Sequence, residues 1–79
     1  MKKPLSKIKV GEKGLIVELP KDSQTRVHLT SLGLLAGDKI EVTGKALFGG
    51  PISVKHSDKT FLALRKNHAQ DIMIETQNN

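Results

Sequence analysis

Residues 32–43 read LGLLAGDKIEVT, and this stretch decides the fold. Gly33 follows a segment with helical spacing, at the position where a helix commonly ends in a left-handed glycine. Beyond it, Ile40 and Val42 alternate with polar residues, as expected for a strand with one buried face. The stretch therefore predicts a helix, its C-terminal cap and a strand in close succession.

Short strand-like runs, separated by glycine and polar residues, extend along the rest of the chain. Residues 49–51, Gly-Gly-Pro, are its strongest turn signal. Gly44 marks a bulge or bend before residues 46–48, and residues 57–59 predict a tight turn. The predicted strands are residues 15–19, 39–43, 52–55, 60–64 and 72–74.

Two segments have helical character. Asp22 or Ser23 is a suitable N-cap for a helix over residues 24–32, which Gly33 would end. A single helical turn is predicted over residues 66–70, just before the last strand. The helices are therefore short, and the strands dominate.

Five short strands at spacings near ten residues, with one or two short helices, predict a mostly β fold, a small and partly open barrel. Such a barrel hides strand edges and fills its interior from one face of every strand. The 79 residues allow a single domain over residues 1–79, with residues 1–10 as a basic N-terminal segment and 76–79 as a frayed end. The predicted core is Leu15, Val17, Leu29, Leu32, Ile40, Val42, Ile52, Val54, Leu62, Leu64, Ile72 and Ile74.

Composition excludes several classes of function. The absence of cysteine excludes disulfides and cysteine-based metal sites and fits a reducing compartment. No apolar run approaches the roughly 18–20 residues that a membrane span needs, and no secretory signal is recognisable. The expected location is the cytoplasm. With two phenylalanines and no other aromatic residue, the chain lacks platforms for stacking nucleic-acid bases.

The positive charge is concentrated at the N-terminus. The net charge is +5, and residues 1–14 contribute +4 of it, from five lysines against one glutamate. The remaining residues, with eight basic and seven acidic side chains, are nearly neutral. A short basic N-terminus commonly serves solubility. Contact with an acidic partner or an anionic membrane surface is the second interpretation.

The residues that could take part in catalysis or bind a metal do not form a recognisable site motif. Residues 11–14, Gly-Glu-Lys-Gly, lack the spacing of a phosphate-binding loop and predict a turn. The serines fit no nucleophile motif, and His28, His56 and His68 are too widely spaced to indicate a shared metal site. We therefore predict no catalytic residue, no metal site and no cofactor, and expect a binding protein rather than an enzyme.

The ordered set of glycine, apolar and turn positions nonetheless resembles one family. Across about residues 5 to 75 the chain is similar to the FeoA family, small cytosolic proteins associated with bacterial ferrous iron transport. The sequence departs from the family pattern at His28, where arginine is usual, and at Ala36, where proline is frequent. The matching residues are Gly11, Gly14, Val17, Leu29, Leu32, Gly33, Leu34, Gly37, Ile40, Val42, Gly50, Pro51, Ile52, Leu62, Ala63, Leu64, Arg65, Ala69 and Ile72.

The resemblance implies an SH3-like barrel and a regulatory or adaptor role beside FeoB, the membrane ferrous iron transporter whose cytosolic part includes a GTP-binding domain. Family descriptions also mention transition metals, so one alternative is a metal carrier or sensor that uses His28, His56 or His68. A basic nucleic-acid-binding barrel is the other alternative and rests on the N-terminal lysines.

A partner contact is expected on the first helix, on the loop after it and at the exit of the fourth predicted strand. Polyproline recognition is not expected, because two phenylalanines cannot line the aromatic groove that it requires. Pairing of an edge strand with a second copy of the chain, as a weak homo-oligomer, stays open. The predicted contact residues are Arg26, His28, Leu34, Leu35, Arg65 and Lys66.

Overall fold

The computed structural model describes residues 1–57 and 59–76. Position 58, within the predicted turn at 57–59, and residues 77–79, most of the predicted frayed end, lie outside them. Short 3-10 turns occupy Leu5–Lys7 and Leu47–Gly49. The regular elements are β1 (Lys2–Pro4), β2 (Lys13–Glu18), α1 (Ser23–Ser31), β3 (Lys39–Lys45), β4 (Ile52–His56), β5 (Thr60–Leu64), α2 (Lys66–Ala69) and β6 (Met73–Thr76).

The strands form one antiparallel sheet in the order β1-β6-β2-β3-β4-β5. Its end strands are β1 and β5, and no pairing within the described residues joins them, so the curved sheet stays partly open. This confirms the predicted mostly β fold class. The described part of the chain contains six strands rather than about five, because β1 was not predicted.

The N-terminal segment is part of the fold. Lys3 of β1 pairs with Ile74 of β6, and the backbone N–H of Leu5 donates to the carbonyl oxygen of Ile72 at 2.8 Å. Leu5 and Ile8 are fully buried. The sequence predicts only a basic segment over residues 1–10, because lysines separate its apolar positions and its pairing partner lies at the far end of the chain.

The face of β2 that packs inward is the opposite of the predicted one. Ile16 is buried, whereas Leu15 and Val17 are 39% and 40% exposed, so their place in the predicted core was wrong. The close contact of β2 with β6 explains the register. A Cβ atom on Gly14 would lie 2.5 Å from the Ile74 Cγ2 atom. Gly14 therefore faces inward, and alternation along the strand places Ile16 on the same side.

The rest of the core agrees with the prediction. Leu32 and Leu62 are only partly buried, and they pack against the edge of the core. Five further residues that were not predicted complete the core: Leu5, Ile8, Ile16, Leu34 and Ala69. The predicted residues that are buried are Leu29, Ile40, Val42, Ile52, Val54, Leu64, Ile72 and Ile74.

Local signals placed the turns and caps well. Asp22 is the N-cap of α1, Gly33 follows its end with φ +94°, and the register shifts between Val42 and Gly44 as a bulge requires. Thr76 was expected to fray, but its N–H donates to the Met1 carbonyl oxygen at 2.9 Å. The strand β6 is therefore paired through its last residue, Thr76, because β1 and β2 lie on its two sides.

Candidate functional site

Most residues of helix α1 are exposed to solvent. Its N-terminus is fixed by Asp22, whose carboxylate accepts from the Thr25 hydroxyl at 2.7 Å and from the Thr25 backbone N–H at 2.9 Å. These hydrogen bonds lower the pKa of Asp22 below its ordinary value. Leu29 is the buried residue of the helix, while Val27 and His28 are exposed. The helix therefore offers a free face that includes an apolar side chain.

Helix α2 connects this free face to the turn between β3 and β4. On one side, the His68 ring lies 6.1 Å from the His28 ring, centroid to centroid. On the other side, a Cβ atom on Gly49 would lie 3.9 Å from the Lys66 Cδ atom. Tertiary structure thus joins three segments that are distant in sequence into one continuous face. We call this face the α2 surface, consisting of His28, Leu47, Phe48, Arg65, Lys66 and His68.

The β3–β4 turn carries two large apolar side chains that contact almost nothing. Leu47 is 80% exposed and Phe48 is fully exposed, at 103% of its reference area. Phe48 also has φ +59°, a left-handed conformation that is unusual for a bulky residue. Neither residue was among the predicted contact residues, because residues 46–48 were treated only as the stretch between the bend at Gly44 and the turn at 49–51. The signal that could have found them is the Gly-Gly-Pro turn that follows at once.

A basic groove lies beside these apolar side chains. It has a volume of about 410 Å³ and runs between residues 49–51 and the start of α2. Its walls include Arg65, Lys66, Asn67 and Gln70, and none of the described lining residues is acidic. The α2 surface therefore combines protruding apolar groups with neighbouring cations, an arrangement that suits an acidic partner with an apolar pocket.

Most of the predicted contact residues are accessible in the structure. Arg26, His28 and Leu35 are exposed on or just after α1, and Arg65 and Lys66 are exposed at the start of α2. The prediction fails for Leu34, which is fully buried in the core. Leu34 turns inward because its backbone N–H donates to the carbonyl oxygen of Leu29, closing the end of α1.

The outer face of the sheet has a second groove, of about 310 Å³, with Lys13, Glu41 and Lys55 among its lining residues. Glu41 of β3 is opposite Lys13 of β2 and Lys55 of β4 in the sheet register. Cross-strand neighbours of opposite charge stabilise a sheet modestly. With Lys39, the described lining holds three lysines against the single carboxylate of Glu41, so Glu41 offsets only part of the positive charge of this face.

The described residues contain no group of three or more histidine, cysteine, aspartate or glutamate side chains that could hold a metal ion. His56 is buried at the end of β4, and its Nε2 atom has no hydrogen-bond partner within residues 1–57 and 59–76. Its other ring nitrogen, Nδ1, is 3.4 Å from the Ser57 hydroxyl. His56 thus lies apart from the two surface histidines as a core side chain.

Two of the five N-terminal lysines form ion pairs within the fold. The Lys2 ammonium pairs with Glu18, and the Lys3 ammonium lies 3.3 Å from the Glu12 carboxylate. Hydrogen bonding by Lys2 lowers the pKa of Glu18. These two lysines therefore belong to the folded sheet edge rather than to a free basic arm. No helix in the described ranges is both long and apolar enough to cross a membrane.

Comparison with known proteins agrees with this architecture. The FeoA domain model matches residues 3–76, and the chain belongs to the FeoA domain family. No curated protein sequence matches the chain.

Among solved structures, the chain is similar to an iron uptake regulatory protein (FeoA), with 30% identity, a TM-score of 0.83, and coverage of 98% of this chain and 99% of that one. A FeoA-like protein from Clostridium acetobutylicum has 27% identity and a TM-score of 0.87, over 99% of this chain and 90% of its own. The FeoA of Stenotrophomonas maltophilia, a prokaryotic SH3 domain protein complexed with zinc, has 20% identity and a TM-score of 0.76, over 91% and 88% of the two chains. The predicted SH3-like fold is thereby confirmed.

Proposed function

We propose that the chain is an accessory protein of bacterial ferrous iron transport that docks on a FeoB-type membrane transporter through its α2 surface. Membership of the FeoA domain family supports a role in ferrous iron transport, as does the similarity to an iron uptake regulatory protein. The proposed action is protein contact in the cytoplasm, without catalysis.

The exposure of Phe48 is the observation that carries this proposal. A fully exposed aromatic residue in a left-handed conformation gains nothing in the isolated chain. An exposed aromatic side chain suits the anchor of a protein contact, because aromatic side chains supply much of the binding energy of protein interfaces. Leu47 is exposed as well, and the groove lined by Arg65 and Lys66 begins at Gly49, the residue after Phe48. Phe48 is therefore the proposed anchor.

The partner surface follows from this chemistry. It needs an apolar pocket for Phe48, and burial of that side chain contributes about 1.5–3 kcal/mol. It also needs carboxylates at the rim to meet Arg65 and Lys66, which would steer the encounter and weaken with salt. One anchor with two rim cations gives a weak and reversible contact, as suits a regulator.

The test is binding of the full chain to the full-length FeoB transporter of the same genome, reconstituted in nanodiscs. It is measured with and without guanine nucleotide and at two salt concentrations. We expect saturable binding that Phe48→Ser weakens at least about tenfold, since tenfold corresponds to about 1.4 kcal/mol. We also expect high salt to weaken the wild type more than an Arg65→Gln variant.

The chain supplies a matched control. Phe61, its other phenylalanine, is exposed on β5 beside Lys55, on the outer face of the sheet. Phe61→Ser should bind like the wild type. Equal losses for the two phenylalanines would overturn the assignment of the α2 surface. Absence of saturable binding under every condition would overturn docking on the transporter.

A further inference from the structure

The two end strands of the sheet differ in how their free edges are protected. β1 is three residues long and consists of two lysines and a proline, Lys2–Pro4. Short length, lysine and proline are features that keep an edge strand from pairing with another chain. β5, Thr60–Leu64, has five residues, none of them charged and none of them proline, and it pairs with β4 in an unbroken register. The edge formed by β5 therefore lacks the protection that β1 has.

The free edge of β5 is available for pairing. Within residues 1–57 and 59–76, β4 is the one strand that pairs with β5, and the backbone groups of residues 60–64 make no hydrogen bond outside that ladder. Because alternate residues of a strand point their N–H and C=O groups away from its neighbour, part of these groups lie at the outer edge of the sheet. This edge is a template for one more strand.

We propose that β5 pairs antiparallel with β5 of a second copy of this chain, around a two-fold axis at Leu62. In this register Leu62 lies opposite Leu62 of the second copy, and Phe61 lies opposite Ala63. All five residues of each strand are then paired. A shift by two residues pairs fewer of them, and a shift by one sets outward-pointing backbone groups against inward-pointing ones.

The side chains of β5 fit this register. Phe61 is 67% exposed, and pairing sets this large ring beside the small Ala63 of the second copy at two symmetric places. Part of the exposed apolar area of Phe61 is thereby buried, which favours association. Lys55 lies opposite Phe61 on β4, so the Lys55 residues of the two copies are three strand spacings apart, about 14 Å. At physiological salt that separation exceeds the screening length of about 8 Å.

Like charges at the two ends of β5 limit the contact. Lys59 precedes the strand and Arg65 follows it, and both are exposed. Pairing brings Lys59 of each copy opposite Arg65 of the other, and like charges directly opposite destabilise a strand pair. The dimer is therefore weak, and salt strengthens it by screening this repulsion. Docking through the α2 surface has the opposite salt dependence, and no residue of β5 belongs to that surface, so the two proposals fail independently.

The first test is sedimentation of the untagged, full chain from about 10 µM to about 1 mM, a range that covers weak association. We expect a reversible equilibrium between monomer and dimer that high salt shifts toward the dimer. Ala63→Lys should weaken dimerisation at least about tenfold, because lysine on an edge strand opposes pairing. Ser53→Lys is the matched control, since Ser53 lies directly opposite Ala63 on β4, away from the edge. It should dimerise as the wild type does.

Cysteine cross-linking tests the register. The chain has no cysteine, so Leu62→Cys introduces a single thiol on the proposed two-fold axis. Directly opposite Cα atoms in an antiparallel pair are about 4.5–5.5 Å apart, a separation that a disulfide spans. Under mild oxidation Leu62→Cys should form a covalent dimer faster than Ser53→Cys, although Ser53 is exposed and Leu62 is half-buried. Thermal unfolding checks that each variant is folded.

Three outcomes would overturn the proposal. The first is a monomer at every concentration and at both salt concentrations. The second is equal dimerisation by Ala63→Lys and Ser53→Lys, because the copies would then associate through another surface. The third is cross-linking of Leu62→Cys no faster than that of Ser53→Cys, because the two Leu62 residues would then not lie opposite each other.

Discussion

Gly33 lies against the imidazole ring of His56, so that a side chain at position 33 would crowd this ring. A Cβ atom on Gly33 would be 3.2 Å from the His56 Cε1 atom, closer than such atoms normally approach. Gly33 also has φ +94°. Backbone conformation and contact with the His56 ring therefore both favour glycine at the position that follows the C-cap of α1.

Gly33→Ala is expected to destabilise the protein more than Gly37→Ala. Both glycines have left-handed φ, but nothing lies within 4 Å of a Cβ atom on Gly37. The left-handed backbone alone costs about 1–2 kcal/mol, and crowding of a packed ring adds at least about 1 kcal/mol. Urea unfolding of the two variants measures the difference. Equal losses of unfolding free energy would show that the His56 ring moves aside without an energetic cost.

Gly14→Ala should be among the most damaging single substitutions. Its Cβ atom would lie 2.5 Å from the Ile74 Cγ2 atom and 2.7 Å from the Glu75 carbonyl oxygen, so β2 and β6 would have to separate. We expect a loss of at least about 3 kcal/mol in unfolding free energy, the upper range for overpacking. Gly44→Ala, with its nearest atom at 3.8 Å, is the matched control and should change stability by less than about 1 kcal/mol. Similar stability of the two variants would contradict the register of β2 on β6.

Ile16→Ala and Val17→Ala test which face of β2 is buried. Truncation of the fully buried Ile16 should cost about 2–5 kcal/mol, whereas truncation of the half-exposed Val17 should cost under about 1 kcal/mol. Denaturant midpoints of the pair provide the measurement. If Val17→Ala destabilised the protein more than Ile16→Ala, the buried face of β2 would be the one predicted from the sequence.

The contribution of Asp22 should depend on pH. Hydrogen bonds from the Thr25 hydroxyl and backbone N–H lower the pKa of Asp22 below its ordinary value of 3.8. A lowered pKa stabilises the folded state above the ordinary value, and this stabilisation is lost as the pH falls through the folded pKa. The wild type should therefore exceed Asp22→Ala in stability at neutral pH, and the gap should narrow below about pH 4.

Urea titrations at neutral and acidic pH follow that gap. Asp71→Ala, which removes an exposed carboxylate after α2, is the control for loss of charge. A gap between wild type and Asp22→Ala that stays constant with pH would show that the ionised carboxylate does not cap α1.

Phe48→Gly should separate stability from docking. Glycine accepts φ +59° without the left-handed strain, but it also increases the entropy of the unfolded chain. These effects are of similar size, so the unfolding free energy should stay within about 0.5 kcal/mol of the wild type. Transporter binding should nevertheless fall as it does for Phe48→Ser. A large loss of stability would mean that Phe48 supports the fold.

Local patterns were sufficient for the features that depend on near neighbours. Asp22 as a cap and the bulge at Gly44 follow from residue type and short-range hydrogen bonding. The buried face of β3 follows from alternation of Ile40 and Val42 with polar residues. The buried face of β2 could not be predicted in this way, because Leu15, Ile16 and Val17 are all apolar and allow either face to be buried.

The residues of the α2 surface likewise divide into those that sequence patterns predict and those that depend on tertiary structure. Arg65 and Lys66 could be proposed from sequence, because charged residues follow an apolar strand. For Phe48 the Gly-Gly-Pro turn marks only its place next to a loop, because its full exposure depends on a left-handed conformation that a bulky residue seldom adopts. The His28–His68 pair was equally out of reach, because the spacing of two residues along a chain does not give their distance when helices pack together.

The sequence by itself determined the class of fold, the helix cap, the turns and most of the core, since alternation and capping act over a few residues. Only the tertiary structure decided the place of the N-terminus, the face of β2 and the composition of the α2 surface. Each of these depends on contacts between distant segments, such as Leu5 with Ile72 and His28 with His68. Such contacts form because the burial of apolar area offsets the entropy that is lost when distant segments of the chain come together. A local sequence pattern does not show which segments will meet.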